Sequence, residues 1–209
     1  MKLDVGGIED NGVIPEKFAF GVQDADEHMR LGENLNPAIR WANLPEGTRS
    51  LVLLCIDPDA PSQADDVNQE GRTVSADLAR VDFCHWAMVD IDPALEEIAE
   101  GQCSRGVTAG GKRNPEGPPG SRQGRNDYTD FLAGDPDMGG EYFGYDGPCP
   151  PWNDEIPHRY RFRLIATSLE SVPVAEGFRA ADVEKAIEGH VLGEASITAT
   201  YSLNPEVPA

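Results

Sequence analysis

The chain has 209 residues, enough for one ordinary domain whose core needs no disulfide or metal to hold it. Acidic residues outnumber basic ones 37 to 17, a formal charge of -20, so the surface repels phosphate backbones and anionic head groups. That argues against nucleic-acid binding, and the absence of any apolar run near the ~18 residues of a membrane span argues against stable membrane insertion.

The expectation is a single domain over 1–209, soluble and, with no signal-like apolar segment at the start, cytoplasmic. The first clear element is Ser50–Ile56, a continuous apolar run that stops at Asp57-Pro58 and reads as a buried strand. Phe83–Ile91, with a His-Trp-Ala-Met-Val centre, reads the same way. A weaker helix is expected over Pro93–Glu100, with Asp92 as cap and Pro93 in the first turn. Gly101–Pro157 follows, with 12 Gly and 8 Pro among its 57 residues, yet it carries Tyr128, Phe131, Tyr142, Phe143, Tyr145 and Trp152. Solvated linkers seldom hold so many aromatics, so this is an ordered loop system packed over a sheet edge. In Arg159–Ala166, Tyr160, Phe162 and Leu164 alternate with Arg161 and Arg163, which predicts a strand with one buried and one wet, positive face. Asp182–His190 has helical spacing and ends before Gly193, and Ile197–Leu203 alternates again as a last strand. Mostly strands with one late helix make a β-rich sandwich.

Cys55, Cys84, Cys103 and Cys149 are too dispersed for a CxxC pair, so no zinc site is implied, and Cys55 and Cys84 read as reduced core residues. No cofactor motif occurs. Only 4 of the 17 basic residues are Lys, which suggests a hydrated acidic surface working in high salt; a merely acidic protein is the alternative.

Three groups of residues could carry chemistry. Asp57-Pro58-Asp59-Ala60-Pro61 puts two carboxylates in a rigid corner, or forms a turn in which they cap backbone amides. His85, embedded in an apolar strand, needs a buried partner or opens onto a pocket. Gly147-Pro148-Cys149-Pro150-Pro151, ahead of His158-Arg159-Tyr160, lets backbone amides approach a ligand at a strand mouth. Together they describe a small polar cavity in which two imidazoles and amides near Gly147 meet an anion, while Asp57 and Asp59 fix tautomers or hold an ammonium group.

Read in order, GENLNPAIRW (32–41), LPEGTRSLVLLCIDPDAP, HWAMVDI, RNDY (125–128), GYDGPCPP (144–151), HRYRF (158–162) and GHVLGEASITATYS (189–202) resemble the phosphatidylethanolamine-binding protein family. These are also called Raf kinase inhibitor-like proteins, and the bacterial and archaeal branch is the most similar. The resemblance spans about Ile14 to Leu203, nearly the whole chain. It implies a sandwich of two antiparallel sheets with a C-terminal helix, and an anion pocket at one end. Onto that pocket it carries Asp57, Asp59, Pro61, His85, Gly147, Pro148, His158 and Tyr160 as ligand-binding residues, and it makes Arg159 a tie between loops through an Asp. Family members bind phosphate or phosphoethanolamine-like head groups, and some animal members modulate kinases. The resemblance therefore implies a non-enzymatic anion-binding protein, with a kinase or protease as partner and a homodimer as further options. The alternative is a hydrolase using the His/Asp pocket, with Ser62 after the acidic corner. Thr129–Phe143 departs from the family pattern as an insert; its Asp135, Asp137 and Glu141 suggest a cation site or an acidic lid that weakens anion binding. His28 and His190 have no place in the pocket, and His190 is expected to cap a helix end.

Overall fold

A computed structural model describes residues 1–209. In chain order it contains β1 (Lys2–Val5), β2 (Gly21–Asp24), β3 (His28–Leu31), β4 (Ile39–Ala42), β5 (Ser50–Pro61), β6 (Arg80–Ile91), β7 (Glu97–Ile98), β8 (Arg122–Gln123), α1 (Tyr128–Phe131), β9 (His158–Thr167), α2 (Ala180–Ala186) and β10 (Val191–Tyr201). All strand pairs are antiparallel: a five-stranded sheet ordered β10-β9-β5-β6-β8, a three-stranded sheet ordered β1-β4-β7, and the β2-β3 hairpin. The mainly β, two-sheet sandwich is as expected. No helix is long and apolar enough to cross a membrane.

The apolar runs are continuous because the central strands are covered on both faces. Leu51, Leu53 and Cys55 of β5 point into the core shared with Val5, Ile39 and Trp41 of the small sheet. Their neighbours Val52 and Leu54 point the other way, against Val183 and Ile187 at α2. Each residue of the run therefore buries its side chain, and alternation is invisible in the sequence. On β9 it is visible: Tyr160, Phe162 and Leu164 are buried while Arg161 and Arg163 face outward. That outer face is not a bare positive surface, since Glu194 of β10 pairs with both arginines and Glu184 of α2 pairs with Arg163.

Four boundaries differ from expectation. Pro93–Glu100 forms no helix: Asp92 accepts from the Ala94 amide at 2.9 Å in a turn, and Ile98 pairs with Ile39 to extend the small sheet. The late helix starts and ends early, at Ala180 and Ala186, and the last strand begins at Val191. His190 thus lies beyond the helix, where its amide closes a turn onto the Ile187 carbonyl at 2.9 Å. The expected coil after Ile56 is strand as far as Pro61. Within it Asp57 pairs with Phe83 and Ala60 with Val81, so β5 carries one extra residue there; a bulge accommodates Pro58, which has no amide proton to offer a ladder.

The Gly- and Pro-rich segment packs along the free edge of β6, as expected. Besides the β8 pairing, Asp127 and Asp146 donate backbone N–H bonds to Cys84 and His85 carbonyls at 2.9 and 3.1 Å. Its hub is the buried carboxylate of Asp146, which accepts from Asn34 (2.8 Å), Asn126 (2.8 Å) and Lys112 (2.6 Å) and so fastens three loops to the strand.

Candidate ligand-binding site

A cavity of about 100 Å³ lies where β5, β6 and β9 meet the loop ends. Asp57, Ala60 and Pro61 of β5, Phe83 and His85 of β6, and His158 and Tyr160 of β9 line it. So do Ala64, Val67 and Asn68 from the β5–β6 loop, Tyr128 and Phe131 of α1, and Cys149-Pro150-Pro151. Five of the expected site residues therefore share one wall: Asp57, Pro61, His85, His158 and Tyr160. Asp59, Gly147 and Pro148 do not line it.

A bulge aims His85. Cys55 pairs with Trp86 and Ile56 with Cys84, so His85 is the unpaired extra residue of β6. Its Nδ1–H donates to the Asp146 carbonyl at 2.8 Å. A carbonyl only accepts, so the proton of the neutral ring sits on Nδ1 and Nε2 is left as an acceptor. Burial lowers the His85 pKa below the usual range, outweighing the pull of Asp57 and Asp146.

His158 is held quite differently. Its Nδ1–H donates to Asp57 at 2.7 Å and its Nε2–H to Asp154 at 3.1 Å, with all three side chains buried. Asp154 in turn accepts from both Arg80 guanidinium nitrogens, at 2.6 and 3.0 Å. Burial alone would depress the pKa of His158, but bonds to two carboxylates raise it to about 9. The ring is an imidazolium with both protons taken. The expectation that both imidazoles offer protons to an anion is corrected: His158 has none free, and His85 presents a lone pair.

Two further roles change. Asp59 stands outside the cavity lining and is held as an anchor: both its oxygens accept from the Arg159 guanidinium (2.7 and 2.8 Å) and one also from the Arg159 amide (2.9 Å). That is the tie expected of Arg159. The Gly147 amide donates to Asn34 Oδ1 at 2.8 Å, so it is spent inside the fold. Gly147 is required for packing, because a Cβ there would lie 1.9 Å from the Phe18 carbonyl oxygen. Pro148 likewise gives its carbonyl to the amides of Phe20 and Gly21.

The phenol of Tyr160 is the complement of His85. Tyr160 is fully buried, lines the cavity, and its hydroxyl has no partner in the fold. Burial raises its pKa well above normal, so the group stays a neutral O–H donor. The rings of His85 and Tyr160 lie 5.1 Å apart, edge to face.

Of the insert 129–143 only Phe131 reaches the cavity; it is 53 % exposed and stands edge-on to Phe83 at the mouth. Asp135 accepts from the amides of Asp137 and Met138, and Glu141 pairs with Arg113 and Arg125. Asp135 and Glu141 are engaged separately, no group of metal-ligating side chains forms, and the lid presented to the cavity is aromatic rather than acidic. Ser62 is exposed and outside the cavity. His28 stacks on Trp152 at 3.9 Å and bonds Glu70 at 2.6 Å, away from the site.

Sequence reasoning missed Asp154, Arg80, Asp146, Phe83, Tyr128 and Phe131 as parts of this site. Asp154 precedes His158 by four residues, a signal that was available; Arg80 meets it only through tertiary structure.

The sequence matches the family model described as "Phosphatidylethanolamine-binding protein" over residues 6–202. It is 32% identical to a UPF0098 protein of Methanothermobacter thermautotrophicus, over 96% of this chain and 98% of the relative. It is 29% identical to the UPF0098 protein YbhB of Escherichia coli, over 97% and 100%. The structure is similar to the crystal structure of E. coli YbcL, described as a new member of the mammalian PEBP family, with a TM-score of 0.67 and 25% identity over 96% and 97% of the two chains.

Proposed function

The chain belongs to the phosphatidylethanolamine-binding protein family, and from that premise we propose that it is a non-enzymatic protein that binds a small phosphate-bearing anion in the cavity. The ligand is inorganic phosphate or a phosphoethanolamine-like head group, and the bound state serves to regulate a protein partner. One observation carries the reading: the Tyr160 hydroxyl is buried and unpartnered, and Tyr160 and His85 both line the cavity. Leaving a buried donor unsatisfied costs about 1–3 kcal/mol, and a ligand oxygen recovers it.

The non-enzymatic part is supported by the state of the lining side chains. Burial pushes the Cys149 thiol up to about 12, so it is not a thiolate at neutral pH. His158 is saturated by carboxylates, and Ser62, the hydroxyl that follows the acidic corner along the chain, lies outside. No activated nucleophile faces the cavity.

The test is an NMR titration of the imidazole signals with phosphate and with phosphoethanolamine, to about 10 mM, the weak end of specific affinity. His85 signals shift, and Tyr160→Phe weakens the response. No shift at that concentration sinks the proposal. Turnover of phosphate or acyl esters that vanishes in His85→Ala would instead favour a hydrolase.

A further inference from the structure

We propose that the cavity selects the singly charged, protonated form of a phosphoryl group, whose P–O–H donates to His85 Nε2 while a second phosphoryl oxygen accepts from Tyr160. This rests on the phosphate reading above and adds the protonation state of the ligand to it.

The donor and acceptor pattern comes first. The Asp146 carbonyl fixes the Nδ1–H tautomer of His85, so Nε2 offers a lone pair to whatever fills the cavity. A bare phosphoryl oxygen against that lone pair is repulsive; a P–O–H is complementary. Tyr160 supplies the opposite polarity from β9, with a hydroxyl that nothing in the fold satisfies.

Charge points the same way. Every cation near the site already faces a carboxylate: His158 faces Asp57 and Asp154, Arg80 faces Asp154, Arg159 faces Asp59, and Lys112 faces Asp146. No spare positive charge awaits a dianion, in a chain whose formal charge is -20. A monoanion brings half the charge for the same shape.

The proton could instead reside on His85. The titratable groups around that ring are Asp57 from β5, Tyr160 from β9, Asp127 and Tyr128 at α1 and Asp146 from the following loop, with His158 and Cys149 sharing the cavity lining. The carboxylates favour an imidazolium, but burial outweighs them and keeps the ring neutral. When the dianion is offered, one proton is therefore taken from the buffer and ends on the ligand.

The test is calorimetric titration of the full chain with inorganic phosphate at about pH 6 and about pH 8, either side of a typical second phosphate ionisation, in two buffers of different ionisation enthalpy. Sulfate, the same shape but unprotonated throughout, is run in parallel. Expected are an apparent affinity that falls up to about tenfold per pH unit above that ionisation, uptake of close to one proton per phosphate at the higher pH, and sulfate binding at least about tenfold weaker than phosphate at the lower. His85→Gln, whose amide can turn a donor to the ligand, loses the pH preference, and an unfolding midpoint checks that it is folded. Phosphate affinity independent of pH with no proton uptake overturns the inference and leaves the phosphate reading standing. Sulfate bound as tightly as phosphate at the lower pH also overturns it, because the proton then sits on His85. Binding of neither anion at any pH removes the phosphate reading itself, and this inference with it.

Discussion

Asp154 lies 3.1 Å from Nε2 of His158, on the opposite edge of the ring from Asp57, which lies 2.7 Å from Nδ1. A neutral imidazole can donate from only one nitrogen, so this clamp requires the doubly protonated ring. Arg80 balances the second carboxylate, giving two negative and two positive groups in one buried line. Its value lies in fixing the cavity wall: His158 cannot rotate without breaking both bonds.

Removing one member of such a line leaves the others uncompensated. Asp154→Asn keeps the volume but leaves Arg80 and His158 facing one carboxylate between them. The expected loss is about 3–5 kcal/mol in urea unfolding, the range for breaking a buried ion pair by deleting one partner. A loss under about 0.5 kcal/mol, typical of an unimportant surface change, would show that the line carries no stability. The same variant should lower the titration midpoint of the His158 ring toward its ordinary value.

The raised pKa of His158 ties the stability of the fold to pH. The folded value is about 9, and the unfolded value is about 6.5. Because the folded state holds this proton more tightly, its contribution is fully present below about pH 6.5 and is lost as pH rises through about 9. The size is roughly 3 kcal/mol at about 1.4 kcal/mol per unit. Asp154 and Asp59 act in the other direction: despite burial, their bonds to His158, Arg80 and Arg159 hold their pKa values down, so their share is present above about pH 4 and lost in acid. Unfolding midpoints between neutral pH and the folded pKa should fall more steeply for the wild type than for His158→Gln, which keeps only the weaker fall due to the buried thiols, whose pKa values burial also raises. Parallel slopes would contradict the assignment.

Local patterns reveal the fold better than the site. Ser50–Ile56, Phe83–Ile91 and Arg159–Ala166 are strands because burial writes itself into apolar runs or alternation, and both were legible. The bulges between β5 and β6 were not: nothing in HWAMV marks His85 as the unpaired residue, since a bulge depends on register against β5. The five cavity residues were legible as a set through the family resemblance, but their protonation was not. It follows from Asp146 and Asp154, partners 61 and 4 residues away from the histidines they serve. The insert misled for a related reason: Glu141 is already matched to Arg113 and Arg125, and Asp135 to turn amides.

Gly147 separates a packing role from a ligand role. Its amide is satisfied by Asn34 and its α-carbon is pressed against the Phe18 carbonyl. Gly147→Ala must move backbone rather than a flexible side-chain tip, so a loss at or above about 1–3 kcal/mol is expected. Tyr145, which donates to the same Phe18 carbonyl at 2.7 Å, would be displaced with it. A variant of wild-type stability with weakened phosphate binding would return Gly147 to the ligand.

The acidic surface makes salt the last variable. With 37 acidic residues against 17 basic, the chain carries 20 more carboxylates than basic groups. Added potassium chloride acts on both populations: it weakens exposed pairs such as Arg40 with Glu97, each worth under about 1 kcal/mol, and it screens repulsion among the excess carboxylates. The buried line through His158 is screened little. Self-repulsion is summed over the whole surface, whereas each exposed pair is individually weak, so screening should win. The unfolding midpoint in urea should therefore rise between about 0.1 and about 1 M salt, as the Debye length contracts from about 10 to about 3 Å. Sodium chloride should give the same rise, since screening depends on ionic strength and not on the cation. A flat or falling midpoint would mean that the excess charge is already accommodated by hydration and spacing, and it would end the idea that this surface is adapted to high salt.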